Sequence, residues 1–314
     1  MSDSVPNAPP ALSPLASELV PRSCPLCGSS EAREIAPASF DASRIDDYAF
    51  ASRKRPEFMH LRLVECVSCD LLFSSPAPAP QALERAYGAA AFDASVESRY
   101  AARTYGSFLP KIVRRLPDRD GAFDIGTGDG TFLRELLEAG FQRVVGVEPS
   151  AAPIAAADPS VRQLIRHGSF RPEELAAEEF SLVSCFQTIE HVFDPLALCR
   201  DVHRIIKPGG LFFIVCHNRR ALLARMLGFR SPIYDIEHLQ LFSPSSVRAL
   251  LDRAGFREIE VRPLVNQYPL SYWARLAPLP AGLKDGLLKL LATTGMGKLA
   301  IAAPVGNLVA IAVR

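Results

Sequence analysis

The sequence predicts an α/β fold: a doubly wound, mainly parallel sheet with helices on both faces, preceded by a small cysteine-bearing module. Three observations predict it. Residues 121–149, GAFDIGTGDGTFLRELLEAGFQRVVGVEP, read as strand, glycine loop, helix and strand. Strand and helix patterns go on alternating through residue 216, as βαβ units of a parallel sheet do. Upstream stand two C-x-x-C pairs, Cys24/Cys27 and Cys66/Cys69.

Bulk properties set the frame. A chain of 314 residues allows one large or two modest domains, and a net charge of +1 gives no global electrostatic case for nucleic acid. No long apolar run reaches the length of a membrane span, and the start, MSDSVPNAPPALSPLASELVP, lacks the basic and apolar segments of a signal peptide. A cytoplasmic protein without a membrane segment is expected. Residues 1–20, rich in Pro, Ala and Ser, read as a disordered tail.

Residues 21–80 read as a zinc-binding module. Each C-x-x-C turn aims two thiolates at one ion, and two such turns suit a tetrahedral, closed, structural zinc held by Cys24, Cys27, Cys66 and Cys69. The gap between the pairs is 38 residues, so the insert Phe40 to Phe58 is expected to loop out. A redox pair fits less well, since neither C-x-x-C opens a helix in a βαβ setting. Leu61–Cys66 and Leu71–Phe73 read as strands, and Pro76, Pro78 and Pro80 close the module. Residues 81–118 follow a helical pattern with Tyr87, Tyr100, Tyr105, Phe108 and Ile112 among its apolar positions, which makes a helical cap.

The glycine loop carries the first functional signal. Gly126, Gly128 and Gly130 stand at alternate positions between a strand and a helix, where missing side chains let a ligand approach the backbone. Glu148, at the tip of the next strand, suits the two hydroxyls of a ribose. A nucleoside-containing cofactor follows. The dinucleotide fingerprint is G-x-G-x-x-G, whereas this loop reads G-x-G-x-G behind an acid, Asp124. An acid there opposes a pyrophosphate and suits a ligand with an ammonium group.

Beyond Glu148, strands are expected at 162–166, 180–186 and 211–216, with a helix from Leu196 to Ile206 that stops at a sharp Lys207-Pro-Gly-Gly210 turn. Topology then sets Gly126, Glu148, Ser169, Gln187 and His217 along one rim, because ligands bind at the carboxyl ends of parallel strands. Residues 218–242, at the end of the fifth strand, read as a substrate lid. Ser243-Pro244 caps a helix, Phe256–Val261 is a sixth strand, 264–305 reads as helices packed on the sheet, and Asn307–Val313 as a last strand. Cys185, Cys199 and Cys216 read as buried apolar residues.

The segments D-I-G-T-G-D-G, V-G-V-E-P, Q-T-I-E-H-V-F-D-P, I-K-P-G-G and H-L-Q-L-F-S-P together resemble class I S-adenosylmethionine-dependent methyltransferases over about residues 80–314. With the two cysteine knuckles in front, the chain looks like a bacterial subgroup from sugar and natural-product pathways. The resemblance implies a Rossmann-like seven-stranded sheet behind a zinc-ribbon-like module, and an antiparallel last strand. S-adenosyl-L-methionine would lie against Asp124, Gly126, Thr127, Gly128, Gly130 and Glu148, with Ser169 and Phe170 by the adenine and Gln187 on the rim. Ser181 stands where relatives carry an aspartate.

An oxygen or carbon acceptor also needs a proton removed. His191, or Glu190 beside it, is the expected base, with His238 a further catalytic candidate and Tyr234 contacting substrate. Arg219 and Arg220 would meet a phosphate or carboxylate on a small-molecule substrate. An RNA methyltransferase, a non-catalytic zinc-bearing scaffold and an NAD-dependent enzyme are the alternatives.

Overall fold

The computed structural model describes residues 18–41, 45, 48–51, 58–277 and 279–314. Of the expected tail over residues 1–20, residues 1–17 lie outside the described residues, as does much of the insert between the cysteine pairs; the tail's end, Leu19–Val20, is instead a strand paired with Ala77–Pro78.

The N-terminal module holds five short strands: β1 (Leu19–Val20), β2 (Ala32–Ala36), β3 (Leu63–Cys66), β4 (Leu72–Ser74) and β5 (Ala77–Pro78). Three helices follow, α1 (Pro80–Gly88), α2 (Ser95–Gly106) and α3 (Leu109–Val113). Then the alternation begins: β6 (Gly121–Ile125), α4 (Thr131–Glu138), β7 (Arg143–Glu148), α5 (Ala151–Ala156), α6 (Pro159–Arg162), β8 (Ile165–His167), β9 (Phe180–Phe186), α7 (Pro195–Ile205) and β10 (Ile206–His217). The remainder is α8 (Leu222–Leu227), β11 (Gln240–Leu241), α9 (Pro244–Arg253), β12 (Arg257–Pro269), α10 (Leu270–Leu276), α11 (Ala281–Thr293) and β13 (Ala300–Val313).

Seven strands make the central sheet in the order β12-β13-β10-β9-β6-β7-β8. β8, β7, β6, β9 and β10 run parallel, and β13 runs antiparallel to both its neighbours. Strand order reverses between β6 and β9, so the ligand crevice belongs at their carboxyl ends. Period-two alternation explains the two-sided core. Phe123, Val183, Phe212 and Ile214 face one layer with α7 and α9, while Ala122, Leu182, Leu211 and Phe213 face the other with α2 and α4. Cys185, Cys199 and Cys216 are buried in the first layer, as expected.

Three expectations need correction. The Lys207–Gly210 segment is the bulged entry of β10, with a register shift between Ile206 and Leu211 and Gly209 at φ +75°. β12 does not end at Val261; it pairs with β13 as far as Pro269, and along it Leu264, Asn266 and Tyr268 are buried while Pro263, Val265 and Gln267 are exposed. Residues 264–305 are therefore a long β arm with α10 and α11 at its tip, not helices laid on the sheet. Two prolines, Pro263 and Pro269, make that strand read as broken.

The N-terminal module and the lid share structure. β11, from the lid, pairs with β4, giving a second sheet in the order β11-β4-β3-β2. Among the described residues no helix is long and apolar enough to cross a membrane.

Candidate active site

A cavity of about 1150 Å³ opens at the carboxyl ends of the parallel strands. This exceeds the roughly 300–1,000 Å³ of a single small-molecule site, so there is room for a cofactor and an acceptor together. Its floor is the glycine loop, its roof includes Leu83, Tyr87 and Tyr105 of the helical cap, and Tyr268, Tyr272 and Trp273 of the arm form one wall.

At the cofactor end the loop is pinned by Gly126 N and Thr127 N, both donating to Val147 O at 3.0 Å. Gly126 sits at φ +71°, and a Cβ there would lie 2.3 Å from Thr188 Oγ1; only glycine fits. Gly128, at φ +57°, would direct a Cβ into open space, so its backbone faces the cavity. The Glu148 carboxylate bridges two backbone donors, Gly128 N and Ser150 N, each at 2.9 Å. Asp124 accepts from Ser184 Oγ at 2.6 Å, and burial pushes its carboxyl up to about 6. Thr127, Ser169 and Phe170 also line the cavity.

Gly130 is different. It is the left-handed N-cap of α4, a Cβ on it would meet Ile165 Cδ1 at 2.9 Å, and it does not line the cavity. Its place is in the turn rather than against a ligand.

At β9's end, Gln187 occupies φ +49°, a costly conformation for a residue other than glycine. Its Oε1 and Asn266 Oδ1 are buried and find no hydrogen-bond partner among the described residues. Both residues line the cavity.

Beyond Gln187 the wall is built from imidazoles. His191 Nδ1 lies 2.9 Å from Tyr87 Oη and 3.8 Å from Glu237 Oε2. His238 Nδ1 lies 2.9 Å from Ile233 O, and its Nε2 is 3.9 Å from Glu237 Oε1. His217 Nδ1 lies 2.9 Å from Asn307 Oδ1. A carbonyl oxygen only accepts, so Nδ1 carries the hydrogen in His217 and His238, and Nε2 keeps its lone pair. Burial holds all three rings neutral: His191 and His217 are pushed down to about 4, and His238 falls well below its usual range.

Several expected contacts fall elsewhere. Glu190 is fully buried and off the cavity; its Oε1 accepts from His217 N at 2.6 Å, and its backbone carbonyl accepts from Leu239 N at 2.9 Å. Glu190 therefore ties β10 and the lid to the His191 loop instead of touching a ligand. Burial pushes its carboxyl up to about 7. Tyr234 packs its ring on Phe229, with centroids 4.9 Å apart, and faces away from the cavity. Arg219 and Arg220 are paired with Asp70 and Glu65 of the cysteine module. Those pairs bolt the lid to the module, and the ground for expecting an anionic acceptor at these arginines is removed. Glu237 and Asn307 are site residues that the sequence reading did not single out, and Tyr87 was named only as an apolar position of the helical cap; the three lie far apart in the chain, and only the fold brings them together.

The four cysteines of the module converge. Cys24 Sγ and Cys69 Sγ are 3.4 Å apart, Cys27 Sγ and Cys66 Sγ are 3.5 Å apart, and all four sulfurs lie within 4.8 Å of one another. A tetrahedron with metal–sulfur bonds of about 2.3 Å has sulfurs roughly 3.8 Å apart, so the arrangement fits one ion. Arg22, two residues before Cys24, is a half-buried clamp. It donates to Ser74 O (2.9 Å), Phe193 O (2.8 Å), Leu239 O (2.8 Å) and Gln240 Oε1 (2.8 Å). Gln240 in turn donates to Ile189 O and Val192 O, each at 2.8 Å. The loops that carry His191 and His238 are thus held together from the module.

A glycine loop, an acid at the tip of β7 and a cavity at the switch point define an α/β enzyme with a nucleoside cofactor. A family model described as "Methyltransferase domain" matches residues 98–261, just over half of the chain. The chain belongs to that family and is an S-adenosylmethionine-dependent methyltransferase. It is similar to a ubiquinone biosynthesis O-methyltransferase of Pseudomonas aeruginosa, 33% identical over 187 residues that cover 52% of this chain and 79% of that protein. A protein of the same description from Ralstonia nicotianae is 28% identical over 48% of this chain and 70% of its own. Among solved structures, the YcgJ protein of Bacillus subtilis is 15% identical with a TM-score of 0.48, over 68% of this chain and 98% of that one.

Proposed function

We propose that this protein methylates a hydroxyl oxygen of a small molecule with an apolar body, of the kind found among sugar-linked or other natural products. One observation carries the reading: a single cavity joins the glycine loop to a wall of neutral imidazoles, under an aromatic arm. Similarity to O-methyltransferases supports oxygen as the acceptor atom.

Asp124, Gly126, Thr127, Gly128 and Glu148 fit S-adenosylmethionine: an open backbone at Gly128, an acid for the ammonium group and another for the ribose diol. When bound, the cofactor supplies an electrophilic methyl group attached to sulfur. The chain's own part is to orient the acceptor and take its proton. His217 is the base, because Asn307 fixes its tautomer with Nε2 unprotonated, and it stands on the cavity wall. His191 and His238, expected from the sequence as catalytic, line the acceptor side of the cavity beside it. His217→Ala is expected to cut turnover about 10²–10⁴-fold while S-adenosylmethionine binding by calorimetry stays within about twofold. Undiminished turnover would remove the base assignment.

The cofactor affinity has a pH signature. Contact with an ammonium group favours the ionised carboxylate, so binding lowers the Asp124 pKa and releases a proton wherever the free protein carries one. Affinity is expected to rise with pH through about 6 and to level off above it. Calorimetry in buffers of different ionisation enthalpy reads the proton release; an affinity that falls over this range contradicts the placement.

The cysteine cluster is read as a structural zinc in a zinc-ribbon-like module, on the fit of its four sulfurs to one tetrahedral ion. Its service to the enzyme runs through Arg22, which holds the acceptor wall.

A further inference from the structure

We propose that His191, Glu237 and His238 form a second metal site, on the acceptor wall of the cavity, for a first-row divalent ion. The donor set is two imidazoles and one carboxylate, and one ligand atom from each lies within 4.8 Å of the others. Each oxygen of Glu237 faces a different ring: Oε2 is 3.8 Å from His191 Nδ1 and Oε1 is 3.9 Å from His238 Nε2. Ligand atoms bound to one ion at about 2.1 Å sit roughly 3.0–3.4 Å apart, so each His–Glu pair closes by about half an ångström and the two rings, within 4.8 Å, draw together to complete the site.

The surroundings are those of a ligand set. His238 donates its other ring N–H to Ile233 O at 2.9 Å, the usual second bond of a metal-bound histidine, which leaves Nε2 directed at Glu237. Tyr87 Oη lies 2.9 Å from His191 Nδ1 and 3.4 Å from Glu237 O, so it can give its hydrogen to that carbonyl when Nδ1 is needed by an ion. All three ligands line the cavity, which leaves the remaining coordination positions facing the acceptor.

The two clusters sort metals by softness. Four thiolates select zinc, while two imidazoles and a carboxylate also accept manganese, iron or cobalt. His217 is outside the set and remains free to act as base. The ion's role would be to polarise the acceptor hydroxyl, whose proton passes to His217 Nε2; that role rests on the acceptor reading above, whereas the binding site does not.

The test uses the full chain with its cysteine cluster saturated with zinc, titrated with Mn²⁺ and followed by electron paramagnetic resonance. One Mn²⁺ per chain is expected, with pulsed spectra showing coupling to two imidazole nitrogens. His238→Ala and Glu237→Gln should each weaken binding at least about tenfold, with S-adenosylmethionine binding unchanged. No Mn²⁺ binding at millimolar ion, or a bound ion without imidazole coupling in the unaltered protein, would overturn the proposal. Neither readout needs an acceptor, so its failure leaves the methyl-transfer reading standing. Failure of S-adenosylmethionine to bind would strike the methyl-transfer reading alone.

Discussion

On the proposed structural zinc, replacing Cys66 with serine is expected to release the ion, lower the melting temperature by about 10 °C and loosen the proposed acceptor wall while sparing the glycine-loop cleft. Structural zinc in small cysteine sites contributes apparent binding energies of about 10–16 kcal/mol, and most of that is folding energy. Even a loss of about 5 kcal/mol, at about 2–4 °C per kcal/mol, gives a shift of this size. Its reach follows from Arg22. That guanidinium is half-buried two residues before Cys24, and its hydrogen bonds join Ser74, Phe193, Leu239 and Gln240. When the turn melts, the ties between the loop of His191 and the loop of His238 go with it. Hydrogen exchange should therefore rise at residues 187–194 and 236–242 and stay unchanged at 121–149. Calorimetry should find S-adenosylmethionine affinity within about threefold of the unaltered chain. A uniform rise in exchange would show that the module supports the whole fold instead of this wall.

Glu148→Ala is expected to weaken S-adenosylmethionine binding at least about hundredfold. Charge-assisted hydrogen bonds contribute about 1.5–3 kcal/mol each, and a ribose diol offers two. The carboxylate also accepts from Gly128 N and Ser150 N, so its removal leaves two backbone donors of the cofactor loop without their partner. Glu148→Gln should fall between, since an amide can accept from one of those donors and opposes the other with its own N–H. Titration calorimetry separates the three. Equal affinities would place the ribose elsewhere.

How far the sequence could be read depends on how local each signal is. The stretch from β6 to β7 was legible because strand, glycine loop, helix and acidic tip follow one another within a few turns of chain, and the cysteine spacing was legible for the same reason. The acceptor wall was not. Glu190 reads as a second base beside His191, yet burial against β10 turns its carboxylate onto the backbone of His217. Arg219 and Arg220 read as free cations because Asp70 and Glu65, which neutralise them, stand about 150 residues earlier. The arm was hidden by Pro263 and Pro269, tolerated in β12 because only one neighbour, β13, pairs with that edge strand. His217 showed only as a residue on the rim, since Asn307, which fixes its tautomer, enters on the last strand.

The most direct test is the fate of a labelled methyl group. The full chain is incubated with ¹³C-methyl S-adenosylmethionine and a set of phenols and alcohols with apolar bodies, and the product is examined by NMR. The account predicts label attached through an ether oxygen, disappearing with His217→Ala although that variant still binds the cofactor. Label on nitrogen or carbon, or an ether formed at full rate by His217→Ala, would contradict it.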